Sequence, residues 1–173
     1  MNHDNGRINT ENDSMYEKGG LTVRASKNIE VGEQIYASYD KCVDCMGVQY
    51  MWGTSDILKD FGFVENYPHR YVDMDNDIWF EIHNGTDGLS LVGDERDGDD
   101  VYTYITDIAE DGLEILEQEL LRVARAGMRL HKHRSNIPDH EWRTMNEFYV
   151  AHSTDYIFVI SEVKKVLYGN DEL

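Results

Sequence analysis

Residues whose types could do chemistry gather in three places along this chain. Asn2-His3 lies at its start. Tyr36 and Tyr39 close a β-rich run that begins at the Gly32-Glu33 turn. Phe61-Gly62-Phe63 follows a short amphipathic pattern that ends at Glu65-Asn66. Taken singly, each has a plain structural reading. A histidine near a terminus is usually a polar loop residue, and aromatic residues beside a helix end usually pack. In a regular strand Tyr36 and Tyr39, three apart, face opposite sides.

Other constellations fail on their spacing. Cys42-Val43-Asp44-Cys45 has the spacing of a redox pair or half a zinc site. It has no second Cys-x-x-Cys and no thioredoxin-like strand-helix-strand context, so it reads as two spare thiols in a reducing compartment. Asp73, Asp75 and Asp77 start like a calcium loop, but Ile78 and Asn84 stand where that loop needs glycine and a bidentate glutamate. His131 and His133 are two apart on a helical pattern and face different directions. His152 falls in an apolar stripe and reads as a satisfied core histidine. No phosphate-cradling glycine loop and no nucleophile elbow is present. The expected metal set is none.

Positioning these residues falls to elements with clear local signals. Residues 1–20 are polar and read as loop. Leu21 to Ala25 alternates like a half-buried strand, and Gln34 to Tyr39 reads as a second. Thr54-Ser55-Asp56 can cap a helix that buries Ile57, Leu58 and Phe61, with Gly62 at its stop. Tyr71 to Met74 and Ile78 to Ile82 are extended. Leu113, Leu116, Leu120, Val123 and Gly127 recur at steps of three and four, predicting one helix up to about His133. A second begins near Pro138 and carries Trp142, Met145, Tyr149, His152, Tyr156, Val159, Val163 and Val166, ending before Gly169. The two are expected to pack antiparallel. The fold class is therefore α+β: a β-rich region over residues 1–83, an acidic linker over 84–103 around Asp94-Glu95-Arg96-Asp97-Gly98-Asp99-Asp100, and a helical segment over 104–168.

Charge bounds the partners. With 34 acidic and 16 basic residues among 173, the net charge is −18. Such a surface repels phosphate backbones, so direct nucleic-acid binding is not expected, and it attracts cationic protein segments. An acidic face kept for solubility is the alternative. No run of eighteen apolar residues occurs and the polar start is no signal peptide, so a soluble intracellular protein of cytoplasm, nucleus or plastid is expected.

In their order and spacing, Asn2-His3, Gly32-Glu33 with Tyr39, and Leu58 with Phe61-Gly62-Phe63 resemble the C-terminal half of a SET domain, the fold of many protein-lysine methyltransferases. The wording IYASYD, a serine-capped helix and FGFVEN is most similar to the Rubisco large-subunit methyltransferase-like branch, in which a helical substrate-binding domain follows. The resemblance implies S-adenosylmethionine as cofactor and a lysine-containing protein as substrate. It makes Tyr39 catalytic, and it places Asn2, His3 and Phe61 against the cofactor, with an amide and an imidazole contacting it. It places Tyr36 and Phe63 in the substrate channel, packing being the alternative for Tyr36. In the family the Asn-His segment threads under the C-terminal strand in a knot-like arrangement. A non-catalytic acidic interaction module, or a degenerate SET relative that binds a basic partner, is the alternative function.

The family's Gly-x-Gly segment and the strands before the Asn-His pair are not in the sequence. Exposed sheet edges and self-association are therefore expected of these 173 residues. No turnover is expected from them alone, which an assay of labelled S-adenosylmethionine with a lysine-rich protein checks; robust turnover would contradict it.

Overall fold

A computed structural model describes residues 2–4, 6–11, 15–17, 20–39, 53–73, 75, 78–92 and 110–169. Among them are three α-helices and a three-stranded antiparallel sheet, so the chain is α+β. Contacts divide it into two compact units, Met1–Val72 and Asp73–Leu173.

The first unit opens with β1 (Asn2–His3), β2 (Met15–Glu17) and β3 (Gly20–Thr22), followed by β4 (Tyr36–Ala37), α1 (Thr54–Phe61) and β5 (His69–Asp73). Its pairing is not local. β1 runs parallel to β4, with Asn2 opposite Tyr36 and His3 opposite Ala37. β2 and β3 form an antiparallel ribbon in which Met15 faces Thr22, and a single bridge joins Thr10 to Ala25.

Both early strands are shorter than the alternation predicts, and residues 1–20 are not simply loop. Asn9 supplies the reason at β4. It is fully buried, its side-chain oxygen accepts the Tyr36 N–H at 2.8 Å, and its amide donates to the Gln34 carbonyl at 3.0 Å. The Thr10 hydroxyl donates to the Tyr36 carbonyl at 2.9 Å. Side chains thus take backbone groups that a longer neighbouring strand would need. Upstream, Gly32 turns the chain at φ +89°. Glu33 accepts the Glu30 N–H at 3.0 Å and an Asn9 amide proton at 3.3 Å, and these contacts hold its carboxyl below the usual range, Glu30 contributing most.

Helix α1 forms where the cap signal predicts, but its N-cap is Gly53, one residue before Thr54. The Asp56 carboxylate accepts the Gly53 N–H at 3.1 Å. A Cβ at Gly53 would lie 3.0 Å from the Arg70 carbonyl, so a bare backbone is what lets α1 start against β5. Ile57 is fully buried beneath the helix. Gly62 ends it in the left-handed region at φ +75°, its N–H reaching the Leu58 carbonyl at 2.9 Å.

The second unit contains β6 (Ile78–Gly85), β7 (Gly88–Val92), α2 (Glu110–Lys132) and α3 (Asp139–Tyr168). β5, β6 and β7 stand in that order in the sheet. β6 and β7 form a tight hairpin, with Gly85 opposite Gly88 and Gly88 at φ +102°. Residues 88–92 are therefore strand, within the 84–103 segment that its polarity marks as linker. Leu91, buried in that strand, is what the acidic composition of the segment obscures. Residues 93–103, including Asp94 to Asp100, lie outside the described residues, as do Cys42 and Cys45.

Helices α2 and α3 pack antiparallel through the predicted stripes. Leu113, Leu116, Val123, Tyr156, Val159 and Val163 are buried, and Phe80 of β6 meets the Tyr156 ring edge-on at 5.5 Å. Lys164 pairs with Glu117 at 2.7 Å near one end, while Gly127 lies against Tyr149 further along. The stripe on α3 is wider than the heptad spacing suggests, since Phe148, Asp155 and Ile160 are buried too. Pro138 is the N-cap rather than the first helical residue. Asp139 pairs with Arg134, whose guanidinium holds the carboxyl below its usual range.

Replacing Asn9 with alanine leaves the Tyr36 N–H and Gln34 carbonyl without their partner. We expect a loss of about 1–3 kcal/mol, read as a lower urea midpoint at unchanged slope. Val31→Ala, on an exposed side chain, is expected to fall within about 0.5 kcal/mol of the parent.

Candidate functional site

Parallel pairing of β1 with β4 brings the start of the chain to the Tyr39 region, and α1 delivers Phe61 and Phe63 to the same place. Four rings close a cycle. His3 and Tyr39 have centroids 5.2 Å apart, Tyr39 and Phe61 4.6 Å, Phe61 and Phe63 6.4 Å, and Phe63 and His3 5.7 Å. All four are tilted by 34° to 44°, an offset geometry that aromatic quadrupoles tolerate well. Phe61 is 45% exposed, so one face of the cycle opens outward.

Beneath the rings lies a hydrogen-bond relay. The Tyr39 backbone N–H donates to His3 Nδ1 at 3.0 Å. Because that nitrogen accepts, the neutral ring carries its proton on Nε2, which points at Glu65 Oε2 at 3.0 Å. The other carboxylate oxygen accepts the Thr54 hydroxyl at 2.5 Å, within the range of a charge-assisted bond. Thr54 Oγ1 in turn accepts the Arg70 N–H at 2.9 Å. The His3 and Glu65 side chains are 1% and 0% exposed, so each bond is made away from water. One chain of contacts thus ties β1, the Tyr39 turn, α1, the Glu65 loop and β5.

Nearby, His69 donates from Nε2 to the Glu65 carbonyl at 3.1 Å and stacks on Tyr67 at 3.9 Å. Backbone of the Glu65 loop is therefore fixed as well as its side chain.

The sequence-derived site residues do not all converge. His3, Tyr39, Phe61 and Phe63 meet. Asn2 enters through its backbone pairing with Tyr36. Tyr36, placed in the channel by the resemblance, sits apart: its hydroxyl accepts from Arg7 Nη1 at 3.3 Å and the guanidinium lies 5.8 Å over its ring. In β4 Ala37 is buried while Tyr36 is half-buried, because neighbouring strand residues face opposite sides. The Arg7 guanidinium is pushed further above its ordinary range by Tyr36 and then by Asp4. His131 meets Trp142 edge-on at 5.5 Å, and buried His152 stacks on Tyr156 at 4.8 Å. Among the described residues no cluster of three or more histidine, cysteine and acidic side chains could hold a metal. No described helix is long and apolar enough to cross a membrane.

Glu65 and the bridging use of Thr54 escaped the sequence reading. Both had a signal. A carboxylate two residues beyond Phe63 in an apolar run is a candidate buried anion, and Thr54 was legible as a helix-start residue though not as a bridge.

No protein-family model, curated protein or solved structure matches the chain.

The relay makes a graded prediction. Glu65→Ala strands the His3 Nε2–H and the Thr54 hydroxyl in a dry site, with an expected cost of about 2–4 kcal/mol. Glu65→Gln keeps an acceptor for His3 and offers an N–H to Thr54, so about half of that loss or less is expected. Chemical denaturation of both variants checks the order.

Proposed function

We propose that residues 1–72 belong to the catalytic half of a SET-type protein-lysine methyltransferase, with Tyr39 as the residue that orients the substrate amine. The carrying observation is the meeting of three segments far apart in sequence. Asn2-His3, the Tyr39 turn and Phe61-Gly62-Phe63 enclose one aromatic cluster in this fold. That is what a shared pocket requires of them, and composition alone did not demand it.

S-adenosylmethionine would supply the electrophilic methyl group of a sulfonium. The residues present fit it as one wall. Phe61 offers a half-open aromatic face beside Tyr39. The imidazole contact that the resemblance implies fits less well, because both His3 nitrogens are engaged inside the protein. His3 supports this reading differently: it fixes the backbone at Tyr39. The resemblance assigns Asn2 and His3 to the cofactor and Phe63 to the lysine channel.

Methyl transfer to lysine is an in-line displacement, and an ammonium ion has no lone pair to attack with. The chain's own work is alignment, exclusion of water and selection of the neutral amine. Rings of Tyr39, Phe61 and Phe63 make the surroundings apolar, which disfavours the charged form of an entering lysine. The Tyr39 phenol can accept from the amine and direct its lone pair. Rigid placement matters more than acidity here, and the buried relay through His3 and Glu65 provides it. The strongly acidic surface suits a lysine-rich protein segment as the substrate.

S-adenosylhomocysteine is the discriminating ligand, since a compound that binds only the folded state must raise its melting midpoint. At a hundredfold excess over the dissociation constant the stabilisation is about 2.7 kcal/mol, which for a chain of this size is several degrees. We expect that rise in the full chain and its loss in Phe61→Ala, with the folded spectrum unchanged. No rise in the parent would remove this proposal and favour a non-catalytic acidic module that binds a basic partner.

A further inference from the structure

The outer face of the α2–α3 hairpin carries a feature that the proposed pocket does not use. Leu121 and Met128 on α2 and Val150 and Ile157 on α3 are each more than half exposed. Each pair is seven residues apart, so both helices present an apolar stripe at heptad spacing. Between the stripes runs a groove of about 310 Å³, floored by Gly127 and bordered by Ala124, Met128, Val150 and Ile157. This is not the face turned to the sheet, which bears Tyr156 against Phe80. No described element covers it.

Charge indicates what does. The chain is strongly acidic, yet residues 110–169 hold ten acidic and eight basic side chains, so the hairpin is nearly neutral. Within α2 the charges are segregated. All five carboxylates lie between Glu110 and Glu119, and all four Lys and Arg side chains between Arg122 and Lys132. Leu121 stands at the divide, with Glu117 four residues before it and Arg125 four after. A stripe with that pattern is complementary to itself when turned end for end. Its acidic half then meets the basic half of the copy, and Leu121 meets Leu121.

We propose that this face is a homodimer interface, in which two hairpins close into an antiparallel four-helix bundle about a two-fold axis near Leu121. Such an interface is isologous, so each contact off the axis occurs twice. Glu117, already paired with Lys164 at 2.7 Å, gains Arg125 of the second copy. Ile157, which lies level with Leu121 along the hairpin, packs near the axis against its own copy. Parallel pairing would set carboxylates against carboxylates along the first half of α2, which opposes that register.

Sedimentation equilibrium of the full chain tests this directly, the monomer being 20.1 kDa. We expect a species of twice that mass at tens of micromolar. Leu121→Glu is expected to weaken it by at least about tenfold, with circular dichroism unchanged because the side chain is exposed. Arg125→Glu is expected to weaken the dimer, and adding Glu117→Arg to restore it. In a Cys42→Ser, Cys45→Ser background, Leu121→Cys is expected to cross-link copies on mild oxidation, and Arg129→Cys is not. A monomer at these concentrations would overturn the proposal. So would a dimer indifferent to Leu121→Glu, which would place association elsewhere, such as a sheet edge.

Discussion

One imidazole holds the N-terminal unit together. His3 accepts from the Tyr39 backbone on one side and donates to Glu65 on the other, and neither contact is shared with water. Remove it and β1 keeps only a two-residue pairing, too short to be stable alone. The Glu65 carboxylate would lose a donor in a site where an unmet charge is expensive. The four-ring cycle depends on the same bonds, since His3 is one of its members. A polar network thus sets the geometry of an apolar cluster, which reverses the usual order of dependence in a core.

Asn9 has a comparable role at β4. Both side chains serve as backbone substitutes: Asn9 pairs with Gln34 and Tyr36, and His3 pairs with Tyr39. These bonds fasten the described segments of a unit whose strands are so short. Its irregular segments are fastened by amide and imidazole groups rather than by long ladders. The second unit uses another strategy, with a β-hairpin and two long helices whose contacts are aliphatic and aromatic.

Legibility in the sequence follows this difference. Periodicity reported α2 and α3 almost to their ends, because a buried stripe repeating every three or four residues leaves few other arrangements. Gly62 marked the stop of α1 because its left-handed conformation is written in its residue type. The short strands were overread, since alternation says where a strand can form and not whether a side chain has taken its hydrogen bonds. β7 was hidden by the charged segment that follows it. In the site, the aromatic members announced themselves by type and order. Glu65 was less legible: its place just after Phe63 and Val64 hints at burial, but nothing in the sequence names the two donors that hold it.

The relay also sets an order of assembly. His3 and Glu65 are separated by 62 positions, and β1 finds its partner 34 residues downstream. During synthesis Asn2 and His3 leave the ribosome long before the carboxylate that must receive them is made. Their segment therefore waits until α1 and the Glu65 loop have emerged, and its docking completes the unit rather than nucleating it. The hairpin of α2 and α3, built from near neighbours, has no such delay. Any tag or partner that grips Asn2-His3 early would hold the N-terminal unit open while leaving the helices free to form.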